Sequence, residues 1–218
     1  MIGKEEMGSI KIVIISDTHG YHEQASIPDG DILIHAGDLT KRGALNEVAQ
    51  FNDFMGKLPH PKKIVIAGNH DFSFEREPQK ARALMTNCIY LEDKGITING
   101  INFYGSPWQP RFFDWAFNLD RGPALRQKWE LIPEFTDVLI THGPPTGYGD
   151  KTVRGDAAGC DDLLQVVRRI KPRLHIFGHI HEGYGSFKEG NTTFINASVC
   201  NLQYSPINPA HVFPWVGK

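Results

Sequence analysis

The chain of 218 residues has 23 lysines and arginines against 25 aspartates and glutamates, a formal charge of −2, and is 40% hydrophobic and 22% charged. That length suits one core, since single domains run to roughly 200–250 residues, and the balanced charge excludes a global basic field that would draw in nucleic acid or an anionic membrane. The apolar runs are about five residues long, far below the ~20 needed to cross a bilayer, so no membrane span is expected.

Residues 1–9 read as a short polar extension and residues 10–218 as one domain. No apolar signal-peptide core follows the charged residues Lys4, Glu5 and Glu6. Cys88, Cys160 and Cys200 are well apart and in no CxxC pattern, which fits a reducing, cytoplasmic setting.

The first strand-like run is 10–16, and it stops at Asp17-Thr18-His19-Gly20. The second, 31–36, stops at Gly37-Asp38. Leu45, Val48, Phe51, Phe54 and Met55 then share one face at helical spacing. The run 63–67 stops at Gly68-Asn69-His70-Asp71. Segment 95–100, with Gly at both ends, reads as a hairpin turn before the run 101–104. The run 137–141 stops at His142-Gly143. Leu163, Leu164, Val167 and Ile170 form a second helical face, with Asp161 and Asp162 in its first turn and Arg168, Arg169 and Lys171 in its last. Pro172 ends that helix. Residues 174–177 lead to Gly178-His179-Ile180-His181, segment 183–190 reads as another hairpin turn, and 193–196 is the last strand-like run. Strand and helix alternate in the first half and strands dominate the second, which predicts an α/β protein of two mixed sheets face to face with helices outside.

Five of these runs end in Asp, His, Asn and Gly, and ligand sites in α/β sheets lie beyond the carboxyl ends of the strands. Asp17 and His19 are two apart, as are His179 and His181, so each pair can reach one ion from an extended strand end. Asp38 adds a carboxylate, Asn69 an amide oxygen and His142 another imidazole. The donor set is mixed oxygen and nitrogen without thiolate, and it exceeds what one tetrahedral ion takes. It suits two divalent ions sharing a carboxylate, with Mn, Fe or Zn acceptable. Two ions about 3.5–4 Å apart generate a bridging hydroxide near neutral pH and grip the oxygens of a phosphate ester during in-line attack. His70 is the natural general acid for the leaving group, because imidazole titrates near the working pH. Asp71 either holds the His70 ring or caps a turn.

Other polar residues carry two readings each. His35 and His175 lie inside strand-like runs and are core imidazoles or supports for a ligand. Arg42 is a solvated loop charge or a phosphate binder. Aromatic residues crowd the segment 108–117, either as packing or as a wall on which a nucleotide base stacks. Trp108 is the best single candidate for that wall, because it lies in a Pro-flanked loop.

Together, Asp17-x-His19, Gly37-Asp38, Gly68-Asn69-His70-Asp71, His142 and Gly178-His179-x-His181 resemble the calcineurin-like metallophosphoesterase superfamily, with every block in order. Thr141-His142-Gly143-Pro144-Pro145, Gly159-Cys160, the run from Arg173 to Gly185, and Ile195-Asn196-Ala197-Ser198-Val199-Cys200 resemble its MPPED (metallophosphoesterase-domain-containing) branch. The resemblance implies a four-layer α/β/β/α sandwich. It also implies a first metal on Asp17, His19, Asp38 and His181 and a second on Asp38, Asn69, His142 and His179. His70 matches the family's catalytic histidine. The implied activity is hydrolysis of phosphodiesters, including cyclic nucleotides, with Mn²⁺. Some relatives carry Gly where this chain has His179, so both metal sites are expected to fill here. Protein Ser/Thr phosphatases of the superfamily read Gly-Asp-x-x-Asp-Arg-Gly, whereas this chain has Lys41 at the second Asp, which disfavours a phosphoprotein substrate.

The reading is therefore a hydrolase for a small phosphate ester or nucleotide, with Asn69, His70 and Trp108 meeting the substrate and no stable nucleic-acid complex. A phosphomonoesterase or protein phosphatase, and a weakly active metal-binding scaffold, are the alternatives.

Overall fold

The computed structural model describes residues 9–217. The polar extension expected over residues 1–9 therefore lies almost wholly outside the described residues. In chain order the elements are β1 (Ile10–Ile15), β2 (Ile32–Ala36), α1 (Leu45–Lys57), β3 (Lys62–Ile66), α2 (Phe72–Arg76), α3 (Pro78–Leu84), β4 (Ile89–Tyr90), β5 (Lys94–Ile98) and β6 (Ile101–Ser106). Then follow β7 (Gln109–Pro110), β8 (Asn118–Leu119), α4 (Pro123–Trp129), β9 (Val138–Thr141), α5 (Asp161–Ile170), β10 (Leu174–Phe177), β11 (Gly185–Glu189), β12 (Thr192–Asn196) and β13 (His211–Trp215).

One sheet runs β13-β1-β2-β3-β4 and the other β11-β12-β10-β9-β6-β5. In the first, β1 to β4 are parallel and β13 is antiparallel to β1. In the second, β12, β10, β9 and β6 are parallel, and β11 and β5 are antiparallel edges. Successive side chains of a strand point to opposite faces. Ile12, Ile14, Ile34 and Ile66 thus point inward and meet Phe103, Ile140, Ile176 and Ile195 of the other sheet. Val13, Ile15, Leu33 and Val65 point outward under Val48, Phe51, Met55, Phe74 and Ala81 of α1, α2 and α3. Tyr104, Leu139, Phe177 and Phe194 point outward under Leu125, Trp129, Leu163 and Val167 of α4 and α5. Both faces of the central strands are buried, which is why those strands read as unbroken apolar runs. The result is the expected α/β/β/α sandwich.

The two glycine-bounded segments differ from the expectation. Residues 94–98 are themselves the strand β5, and the turn is confined to Asn99 and Gly100, both at positive φ. Likewise Gly185–Glu189 is a strand, paired with β12 across a turn at Gly190. Among the described residues no helix is long and apolar enough to cross a membrane.

The parallel strands determine where the site forms. β1, β2 and β3 end on the same side of their sheet, and β9 and β10 on the same side of theirs. A bridge between Ser16 and Ser198, and the bond from the Asp17 amide to the Gly37 carbonyl (2.9 Å), bring these ends together. Ile34 is fully buried at the centre of the inter-sheet core. Ile34→Ala is expected to lower unfolding free energy by about 2–5 kcal/mol. Urea denaturation would show it as a lower midpoint at an unchanged slope.

Candidate metal centre

Six of the seven expected ligands lie on loops just past strand ends, His181 opens a short 3₁₀ turn after β10, and the structure brings all seven together. Ligand atoms of Asp17, His19 and His181 lie within 4.8 Å of one another, as do those of Asp17, Asp38 and His142. Asp38 reaches both sides: Oδ2 is 3.6 Å from His19 Nε2 and Oδ1 is 3.4 Å from His142 Nε2. Asn69 Oδ1 sits 2.8 Å from His142 Nε2 and 2.8 Å from His179 Nδ1. His181 Nε2 is 3.1 Å from His19 Nε2 and 3.5 Å from Asp17 Oδ1.

The backbone is bent to make this possible. Asp17, His19, Asp38 and His179 all have positive φ, between 44° and 67°. Such residues cost of order 1–3 kcal/mol each and persist only where surroundings over-determine them. Here the amides supply that determination: His19 donates to the Asp38 carbonyl, and His179 donates to both Asp17 oxygens at 3.0 and 3.1 Å. Two glycines leave the room. A Cβ on Gly68 would overlap Asp38 Oδ1, and one on Gly178 would overlap Asp17 Oδ2.

The donor chemistry fits a cation. His142 Nδ1 donates to the Ala36 carbonyl (3.0 Å) and His181 Nδ1 to the Asn201 carbonyl (2.9 Å). Carbonyls only accept, so each neutral ring is left with a lone pair on Nε2. Those lone pairs point at carboxylate, amide-oxygen and imidazole lone pairs. Only protons or metal cations between them remove the repulsion.

Electrostatics agree. Burial alone would lower His142, but the charge and hydrogen bond of Asp38 overcome it and push it up to about 9. Burial is likewise overcome at His181, where the Asp17 hydrogen bond and charge push it up to about 9. Burial drives His19 down to about 4 and His179 down to about 3. Asp17 and Asp38 are held low despite burial, chiefly by His181 and His142 respectively.

His70 lies at the edge of this group, its ring against that of His19 at 4.5 Å between centroids. Its Nδ1 donates to the Lys41 carbonyl (2.8 Å) and its amide donates to Asp38 Oδ1 (2.8 Å). Asp71 is placed differently from one of its two expected roles. Its carboxylate accepts from the amides of Gly68, Leu39 and Thr40 and from Thr40 Oγ1, and it makes no hydrogen bond to His70. Burial and the nearby Asp38 charge push it up to about 6. Asp71 is therefore a loop clamp, and a main-chain oxygen holds the His70 ring.

Trp108 also departs from expectation. Its Nε1 donates to Asp93 Oδ2 (2.9 Å), the Lys128 ammonium lies over its ring at 4.3 Å, and it packs edge-on against Phe117. It lines neither cavity at the centre. Trp115 does, and stacks on His70 with centroids 4.2 Å apart. Arg42 is exposed and lines the smaller cavity, about 290 Å³, together with Lys41, Tyr21 and His70. The larger cavity, about 510 Å³, lies over Asp38, Asn69, His179 and His181. Its outer wall includes Phe112, Phe113, Arg111, Arg121 and Arg154.

His35 and His175 are fully buried imidazoles of the core. His35 Nε2 is 2.9 Å from Thr18 Oγ1, beside Asp17, and His175 Nε2 is 2.9 Å from Thr141 Oγ1, beside His142. Sequence reasoning missed Tyr204, whose ring is 4.7 Å from that of His19, and Ser198, whose hydroxyl donates to Asp17 Oδ2 at 2.8 Å.

The chain belongs to the calcineurin-like phosphoesterase family, whose profile matches residues 10–183. It is therefore a member of a family of metal-dependent phosphoester hydrolases. It is similar to metallophosphoesterase domain-containing protein 1 of Homo sapiens and of Mus musculus, at 48% identity over 93% of this chain and 70% of each relative. The crystal structure of TT1561 of Thermus thermophilus superposes with a TM-score of 0.61 at 16% identity, over 94% of this chain and 99% of that one, a likeness of fold.

Two outcomes follow from the charge arrangement. Asp38→Ala is expected to strip metal from both halves of the centre, which elemental analysis would read as near-zero occupancy; normal content would contradict a shared carboxylate. At pH 7.5, His142 and His181 hold protons that metal must displace, so uptake is expected to release about two protons per chain. Calorimetry in buffers of different ionisation enthalpy would detect them, and the release should disappear as pH rises through 9.

Proposed function

We propose that residues 10–218 act as one catalytic domain, a dinuclear metal-dependent phosphodiesterase for small diesters, with cyclic nucleotides or related nucleotide esters as leading substrates. Asp17, His19, Asp38 and His181 would hold one ion, and Asp38, Asn69, His142 and His179 the other, with Asp38 shared. Mn²⁺ is the expected ion in vitro, Fe or Zn being compatible with the same donors. When bound, the ions supply an activated water and offset charge on the phosphoryl oxygens.

One observation carries the reading: His70 has one ring nitrogen tied to a backbone carbonyl while the ring edges the ligand cluster at the floor of the cleft. A tethered imidazole of this kind has its other nitrogen available to the leaving oxygen. In its cationic form the ring carries a second proton on Nε2; that N–H bond breaks as the new O–H bond forms, the P–O bonding pair leaves with the alcohol, and His70 is left as the neutral ring with its proton on Nδ1. Arg42 lines the smaller cavity beside His70 and would meet a phosphoryl oxygen from there. The larger cavity has the size of a small-molecule site, and its aromatic and arginine wall suits the planar base and anionic phosphate of a nucleotide. Three free thiols support a cytoplasmic location.

His70→Ala is expected to cut kcat on a diester by about 10²–10⁴ while metal stays bound. Unchanged turnover in the metal-loaded variant would remove His70 from this role. Turnover of diesters above monoesters, abolished by chelator, is expected of the wild type; faster monoester hydrolysis would overturn the diesterase assignment.

A further inference from the structure

The geometry points to Trp115 as the positioning residue that sets the plane of the His70 ring, an inference that rests on the general-acid reading above. His70 and Trp115 lie 4.2 Å apart between centroids with planes 27° from parallel. Behind Trp115 lies Phe72, stacked at 5.8 Å and 29°, and the Arg76 guanidinium caps Phe72 at 4.3 Å. The imidazole is thus one end of a run of flat groups, followed by the half-buried Trp115 and Phe72 and closed by the exposed Arg76 guanidinium.

Two kinds of contact are needed to immobilise an imidazole. A hydrogen bond at Nδ1 fixes one in-plane direction but leaves the ring free to roll about the bond. A face contact stops the roll. The Lys41 carbonyl provides the first and Trp115 the second. His19 also meets this ring, at 4.5 Å between centroids and 81° between planes.

Trp115 itself is held on the same block of chain that carries the ligand. The amide of Ala116 donates to the Asn69 carbonyl (3.1 Å), and the amide of Phe117 donates to Glu75 Oε1 (2.9 Å). Stack and metal ligand therefore move as one body, and the free nitrogen of His70 keeps its place relative to Asn69 and Asp38. Misplacing a catalytic group by about 1 Å can cost 10²-fold in rate.

A general acid matters most when the departing oxygen is a poor leaving group. Two diesters separate the roles: bis-p-nitrophenyl phosphate, whose aryl oxide leaves readily, and a 3′,5′-cyclic nucleotide, whose leaving group is an alkoxide. On the Mn²⁺-loaded enzyme, Trp115→Leu is expected to lower kcat on the cyclic nucleotide about 10–100-fold more than on the aryl diester. Trp115→Phe, which keeps a ring in that run, is expected to recover most of that loss. On the Zn²⁺-loaded protein, the His70 Nδ1–H resonance should be lost or broadened in Trp115→Leu and preserved in Trp115→Phe.

A higher KM on the cyclic nucleotide with kcat and the resonance intact would make Trp115 a stacking platform for substrate and overturn the proposal. His70→Ala on the same pair separates the parent reading. If that variant fails to discriminate between the leaving groups, the general-acid assignment falls. If it discriminates and Trp115→Leu does not, only the positioning role falls. Should Trp115→Leu bind no metal, Trp115→Gln decides by the same kcat ratio and resonance.

Discussion

Two buried carboxylates share one small volume with four imidazoles and an amide oxygen, and nearly all of their lone pairs face inward. Asp17 is 0% exposed and Asp38 2%. Burial raises the proton affinity of both, and Asp38 adds to it at Asp17; His181 and His142 overcome this at Asp17, and His142 and His19 overcome it at Asp38. Burying unpaired charge of this kind is expensive unless it is matched by opposite charge or by a metal. The cluster is thus high in energy without cations and becomes favourable when cations enter. Metal binding and the local fold are coupled through that term.

The rest of the molecule is arranged to hold that cluster against its own repulsion. Parallel strands deliver the ligands to one edge, and glycines at 68 and 178 remove the Cβ atoms that would otherwise overlap the carboxylates. Ligand residues accept a left-handed backbone, and the amides freed by that bend donate to neighbouring ligands. Behind them, His35 and His175 hold Thr18 and Thr141 in equivalent ways on the two sheets. Both imidazoles are kept near 3 by burial, so they stay neutral and add no charge behind the site.

The sequence revealed the ligand set because each ligand belongs to a short block that ends an apolar run, and chain direction alone determines which end of a parallel strand faces the site. The central strands were equally legible, since two-sided burial writes them as continuous Ile, Val and Leu, whereas the half-exposed edge strands β5, β11 and β13 were not. What was not legible depends on paths through space. The short helices α3 and α4 announce themselves only by a first-turn proline, and β13 carries Pro214, which an edge strand tolerates. Trp108 and Trp115 are indistinguishable as letters in an aromatic stretch. The fold sends Trp108 towards Asp93 and Lys128 and Trp115 towards His70, because Ala116 pairs with Asn69. The role of a main-chain oxygen, as at Lys41, leaves no trace in residue type at all.

That last point changes the meaning of the Lys41 departure from the protein-phosphatase pattern. A missing carboxylate beside a catalytic histidine would ordinarily leave the ring unsupported. Here the support passes through the backbone. Asp71 receives the Leu39 and Thr40 amides and the Thr40 hydroxyl, and so fixes the turn whose next carbonyl, that of Lys41, holds His70. Asp71 thus grips the loop from which the Lys41 carbonyl reaches His70. A carbonyl in a clamped turn has no rotamers to sample, so the acceptor is as rigid as the loop itself. The Lys41 side chain is thereby freed from supporting His70. Its ammonium lies 3.9 Å over the ring of Tyr21, on the wall of the smaller cavity, placing a cation where the family's phosphatase branch carries an anion. The position that lacks a carboxylate beside the imidazole thus adds positive charge to the wall of the smaller cavity.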